Sequence, residues 1–231
     1  MGLSVGHDFW ANPWYTETKQ SESAGYVMLK VEKTSVMNFE NALRGARNPL
    51  NSWDRSDSYF DEKGAFVVGE KDLELAGKLC RAGTDHRKFM RQIFVSVDIT
   101  APFYWWKEFD TYKVATVSNS TSTMHRIHKE PFSAEQFSTD HMTEPTRQKL
   151  DELVAYLETL RVSFNETKDK RYWYDIIELL PSAYNQLRTC TLNYETLSNI
   201  YRARRDHKLD EWHVFCAWIS SLPYAENLIT F

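Results

Sequence analysis

LNYETLSNIYRAR, running from Leu192 to Arg204, decides how the last third of this chain is read. Leu197, Ile200 and Arg204 recur at spacings of three and four, which puts them on one helix face with Tyr201 at its edge. Arg204 therefore extends an apolar stripe, and a guanidinium there needs an anion or several acceptors. The same residue also suits a helix C-terminus, where a cation complements the helix dipole. Asn193 fits the N-cap position, and Asn199 fits a surface amide. From these residues alone the helix end is either ligand-facing or structural.

Outward from this segment, Tyr172 to about Leu222 reads as mainly helical, with breaks near Pro181 and Pro223. Leu150, Leu153, Leu157 and Leu160 mark an earlier helix. Phe89 to Thr100 reads as a strand, with Ile93, Val95, Val97 and Ile99 alternating against mostly polar neighbours. Pro102 opens a short aromatic helix, and a hydroxyl run follows from Thr116 to Thr123. Lys71 to Ala82 reads as a helix with Leu73, Leu75, Leu79 and Cys80 inward and Gly83 as its cap. Ser35 to Arg47 is a further helix, capped by Ser35 or Asn38 and ended at Asn48-Pro49. A polar loop covers 48–65. Tyr26 to Lys33 alternates as a strand, and residues 1–25 read as an arm. Helix and strand followed by mainly helix predicts α+β rather than alternating βαβ.

Composition narrows the function classes. A net charge of −4 excludes a general attraction to nucleic acid or anionic lipid, so any phosphate site is local. No apolar run is long enough to span a membrane, and no glycine-rich phosphate loop occurs. Cys80, Cys190 and Cys216 are odd in number and widely spaced, which with a start lacking signal-peptide character predicts a cytoplasmic setting. His125 and His128 have HxxH spacing with His141 beyond, but a metal needs a third placed ligand, so no metal is expected. Aromatic residues at 14% serve either a heavy core or ring stacking. No catalytic side chain is nominated.

The segment from Asn193 to Arg204 resembles the stretch of flavin-dependent thymidylate synthases that reads approximately NARxLxNFxxxR, with Asn193, Leu197, Asn199 and Arg204 in register. PFYWWKEFDTYKVATVSNSTSTMH, from Pro102, is similar in frame to that family's PFFxxRQxxRHRxxSxNExSxRY, with Thr116 and Thr121 at serine positions. ALRGAR, residues 42–47, resembles AVRAAR, and Asp72 to Phe89 resembles the helix and PFEH segment behind it. The order of the four is that of the family. Departures are concentrated: RHR is Thr111-Tyr112-Lys113, NE is Ser118-Asn119, RY is Thr123-Met124, the PFEH histidine is Arg91, and Glu195 replaces an arginine.

The resemblance implies one domain over 26–231 with a mixed helix and antiparallel sheet core and a long helical C-terminal part. It implies FAD held by Asn193, Asn199, Tyr112, Lys113 and Arg91, and a pyrimidine nucleotide held by Arg204, Thr116 and Thr121. It further implies one-carbon transfer with NADPH and methylenetetrahydrofolate as co-substrates, in a homotetramer. The alternative is an inactive nucleotide- or partner-binding protein on the same scaffold. Three lost charge-assisted bonds would cost roughly 5–9 kcal/mol, so Arg87, Lys88, Arg91, His125 and Arg126 are the expected compensating cations.

Overall fold

The computed structural model describes residues 29–231. The arm at 1–25 and the strand start at Tyr26, Val27 and Met28 lie outside the described residues. The fold is α+β. Its sheet is antiparallel throughout, in the order β1 (Lys30–Met37), β4 (Phe94–Pro102), β6 (Asn185–Asn193), β5 (Val117–Ser120). A small hairpin, β2 (Tyr59–Phe60) with β3 (Phe66–Val67), interrupts the loop read at 48–65.

Three boundaries differ from the sequence reading. First, β1 runs on to Met37, so Ser35 is in a strand and helix α1 (Phe39–Arg47) starts later. The cause is a register shift after Glu32, where Lys33 takes φ 50°: the bulge changes which face the following residues use, and Thr34 and Val36 turn inward. Asn38, in the left-handed region, does not cap α1 with its side chain but donates to the Gln92 carbonyl at 2.8 Å. Second, Arg87–Gln92 is a 3-10 turn, and Phe89 is buried in that turn rather than in β4. Third, the stretch from Tyr172 to Leu222 is mainly helical as read, but β6 lies inside it.

β6 escaped notice because its inward row is Gln186, Arg188, Cys190 and Leu192, which breaks the apolar alternation of a strand. These face Ala101, Ile99, Val97 and Val95 of β4. The polar members are provided for: Gln186 donates to the Thr121 carbonyl at 2.9 Å. The Arg188 guanidinium lies 4.2 Å over the Trp106 ring and bonds Asp110 at 2.7 Å.

Helix α3 (Phe103–Phe109) leaves β4 directly, and α7 (Tyr194–Arg204) leaves β6 directly. With α8 (Asp210–Ser220) they build an aromatic core in which Trp105 meets Trp106, Phe109, Trp212 and Phe215 at centroid distances of 4.8–5.4 Å. The aromatic content therefore serves packing. Helices α5 (Glu144–Thr167) and α6 (Lys170–Leu179) follow the short α4 (Thr123–Arg126), and cover a separate apolar cluster around Leu157 and Ile176. On α2 (Glu70–Arg81) the fully buried residues are Asp72, Ala76, Gly77 and Cys80, while Leu73, Leu75 and Leu79 are half-buried. The chain ends near α9 (Ala225–Leu228). Among the described residues no helix is long and apolar enough to cross a membrane.

Trp105 is fully buried, and its indole N–H finds no partner among the described residues. Trp105→Ala should cost about 3–5 kcal/mol through the cavity it leaves. Trp105→Phe should cost less, about 1–2 kcal/mol, because it also removes an unsatisfied donor. Urea unfolding followed by circular dichroism measures both.

Candidate functional site

α7 carries the site because two of its faces reach two charged clusters. Asn193 caps the helix as read, its Oδ1 accepting the Thr196 N–H at 2.9 Å. Leu197 and Ile200 anchor the helix in the core. On one flank Glu195, 9% exposed, accepts from Arg87 Nε at 3.3 Å, from Arg91 Nη2 at 3.3 Å and from Arg91 Nε. Arg87 Nη2 also reaches Asn199 Oδ1 at 3.4 Å. Glu195, met in the sequence as the loss of a cation, thus gathers two of the expected compensating arginines beside Asn199. Burial and then the like charge of Arg87 pull Arg202 below its usual pKa.

On the other flank Arg204 is held from three sides. Its Nε donates to the Tyr112 hydroxyl at 2.8 Å, its Nη1 to Glu108 Oε2 at 2.7 Å, and its Cζ lies 4.7 Å over the Trp212 ring. Glu108 Oε2 also accepts Trp212 Nε1 at 3.0 Å and faces His207 Nε2 at 3.2 Å. His207 Nδ1 accepts the Leu209 N–H at 3.1 Å. The acceptors that the sequence required for Arg204 are therefore supplied within the chain.

The structure brings Tyr112 directly to Arg204, and ties the loop after it to α7 through Thr196 Oγ1, which donates to the Val114 carbonyl at 3.3 Å. Lys113 is exposed in that loop, and Thr116 has a buried hydroxyl with no partner among the described residues. Arg91 joins Asn199 only through Arg87 and Glu195. Thr121 stands apart. Its hydroxyl donates to the Leu187 carbonyl at 3.3 Å, and it lines a small cavity of about 110 Å³ with Arg126. His125 is exposed on α4, beyond these clusters. His141 instead lies 3.4 Å from Asp210, and among the described residues no group of three His, Cys, Asp or Glu could hold a metal.

Sequence reasoning missed Glu108 and His207 as partners of Arg204. The three cysteines take no part in such chemistry. Burial pushes the thiols of Cys80 and Cys190 up to about 12 and that of Cys216 to about 11, so none supplies a thiolate near neutral pH.

No known family profile matches this sequence, and no curated protein is detectably similar to it. Solved structures are similar in fold. Two are of the flavin-dependent thymidylate synthase ThyX of Helicobacter pylori, each with FAD and dUMP. They have TM-scores of 0.66 and 0.67 and identities of 18% and 19%, over 88% of this chain and 98% and 97% of theirs. A third is the UMP/dUMP methylase PolB of Streptomyces cacaoi bound with 5-Br dUMP, with a TM-score of 0.57 and 15% identity over 87% of this chain and 94% of that one. Across nearly all of its described length, the chain has the fold of the flavin-dependent thymidylate synthases.

Proposed function

We propose that this protein binds FAD and a pyrimidine nucleotide and transfers a one-carbon unit to the nucleotide ring, as a divergent ThyX-like enzyme. The observation that carries the reading is the fold match along 88% of the chain to a synthase complexed with FAD and dUMP. The proposal extends to NADPH and methylenetetrahydrofolate as co-substrates, and to a homotetramer.

The residues present fit a flavin dinucleotide. Its pyrophosphate needs cations: Arg87 reaches Asn199 and Glu195, and Arg91 is bonded to the same Glu195. Tyr112 offers a ring to the flavin, and Thr116, proposed for the nucleotide, has a buried hydroxyl without a partner among the described residues. When bound, the flavin would supply hydride transfer. The chain's own contribution is to hold and orient: Asn199 with Arg87, Arg91 and Tyr112 toward the cofactor, Arg204 toward the nucleotide. Thr121, away from both clusters, is proposed for the substrate on the strength of its motif position alone.

A second reading is a binding protein without turnover. It is favoured by one observation, that Glu195 and Glu108 already neutralise the arginines a nucleotide or cofactor would use. Incubation with FAD, NADPH, methylenetetrahydrofolate and dUMP separates the two. Methylated nucleotide in the product supports the enzyme, whereas tight dUMP binding with unchanged dUMP supports the binding protein.

A further inference from the structure

Three rings stand outside the aromatic core: Trp53, Tyr59 and Phe60 are 50%, 58% and 56% exposed. With Phe66 they wall a cavity of about 250 Å³, which Glu40 and Arg44, exposed and one turn apart on α1, also line. The walls are fixed. The Trp53 indole donates to Asn48 Oδ1 at 2.9 Å, and Phe60 meets Phe66 edge-on at 5.3 Å across the β2–β3 hairpin. Arg47 ties down the segment before the hairpin, donating to the Ser52 and Arg55 carbonyls at 3.1 and 3.2 Å. Asp57 secures the same segment to α2 by accepting the Lys71 and Asp72 N–H groups at 2.9 and 3.1 Å. Rings held half in water by fixed surroundings make a pre-organised binding surface. None of them belongs to the clusters around Arg204 and Glu195.

Two charged groups of this lining are uncommitted. Arg47, also in the lining, is spent on Asp72 and the two carbonyls. Glu40 bonds nothing among the described residues, and Arg44 reaches only Asn41 Oδ1, at 2.9 Å. A lone anion would face Glu40 and a lone cation would face Arg44, so the complementary ligand carries both signs. A cavity below the roughly 300–1,000 Å³ of a drug-sized site takes one ring system, not a nucleotide or a flavin. We propose that this cavity binds a free aromatic α-amino acid, with its ring among Trp53, Tyr59 and Phe60, its carboxylate on Arg44 and its ammonium on Glu40. An internal peptide residue lacks this head, since its amides carry no charge. The site is independent of the nucleotide-binding reading, with which it shares no residue.

The test is calorimetric titration of full-length protein with L-phenylalanine and L-tryptophan, with 3-phenylpropionate, which lacks the ammonium, and with 2-phenylethylamine, which lacks the carboxylate. Wild type is compared with Arg44→Gln, Glu40→Gln and Trp53→Leu, and circular dichroism checks that each is folded. In wild type each missing charge should weaken binding about 10-fold, the low end for a charge-assisted bond because both groups are exposed. In Arg44→Gln, L-phenylalanine and 2-phenylethylamine should bind alike. In Glu40→Gln, L-phenylalanine and 3-phenylpropionate should bind alike. Trp53→Leu should weaken every ligand by a similar factor, because it removes a ring and no charge. No saturable binding of either amino acid to wild type overturns the site. Equal affinities of wild type for L-phenylalanine and both fragments, or penalties unchanged in Arg44→Gln and Glu40→Gln, overturn the recognition of the charged head. FAD retention by the same variants reports separately on the flavin reading.

Discussion

Arg204→Ala is expected to lower affinity for dUMP by about 100-fold or more, the equivalent of two charge-assisted hydrogen bonds. The fold should survive, because Glu108 keeps Trp212 Nε1 as a donor and is a third exposed. A stability loss near 1 kcal/mol is expected, so the binding effect would be separable from unfolding. Arg204→Lys should recover little. A lysine keeps the charge but puts its three donors on one nitrogen, without the planar fork by which separate nitrogens of Arg204 reach Tyr112 and Glu108. Calorimetric titration checks the affinity and thermal unfolding checks the fold. Unchanged dUMP affinity in a folded Arg204→Ala protein would remove this residue from the site.

A stability effect as large as that of Trp105→Ala is expected at Asp72, a carboxylate 1% exposed on an otherwise apolar helix face. It accepts Arg47 Nε, Ser56 Oγ and Ser58 Oγ, each at 2.5 Å, and Arg47 is itself 5% exposed. Asp72→Ala would strand Arg47 as a buried charge, at a cost of about 3–5 kcal/mol. For a chain of this size that lowers the melting temperature by about 10 °C. The pH dependence has a definite sign. Burial works to raise the Asp72 carboxyl, but the bonds from Ser56, Ser58 and Arg47 outweigh it and hold the carboxyl below its usual value. A group depressed in the folded state contributes stability above its unfolded pKa of about 4 and loses it as pH falls through the lower folded value. The gap in stability between wild type and Asp72→Asn should therefore be full at neutral pH and narrow as the solution is acidified below about pH 4. Chemical unfolding across that range measures it, and a gap independent of pH would contradict the pairing.

Much of this was legible in the sequence where one physical signal dominated. The aliphatic alternation of Val95, Val97 and Ile99 marked β4. The three-and-four spacing of Leu197, Ile200 and Arg204 marked α7, and Asn193 read correctly as its cap. The signal failed where a buried face is polar. β6 hides behind Gln186 and Arg188, whose partners Thr121, Trp106 and Asp110 are far away in sequence. Asp72 is invisible for the same reason, since only the fold brings Arg47, Ser56 and Ser58 to it. In the site, Arg204 was readable because a cation on an apolar stripe demands partners. Glu108 was not, because one acid among aromatic residues carries no spacing that points to a residue nearly a hundred positions away. The loss of RHR cations was visible. That Arg87 and Arg91, two of the cations expected to compensate, meet at Glu195 was not visible, because only the packing of α7 on the 3-10 turn brings them together.

The central claim is that this scaffold still holds its two ring ligands. Its most direct test is the visible spectrum of full-length protein incubated with FAD, freed of unbound flavin, and then titrated with dUMP. The account predicts a retained flavin band that shifts as dUMP binds beside it. A colourless protein whose spectrum dUMP leaves unchanged would contradict it.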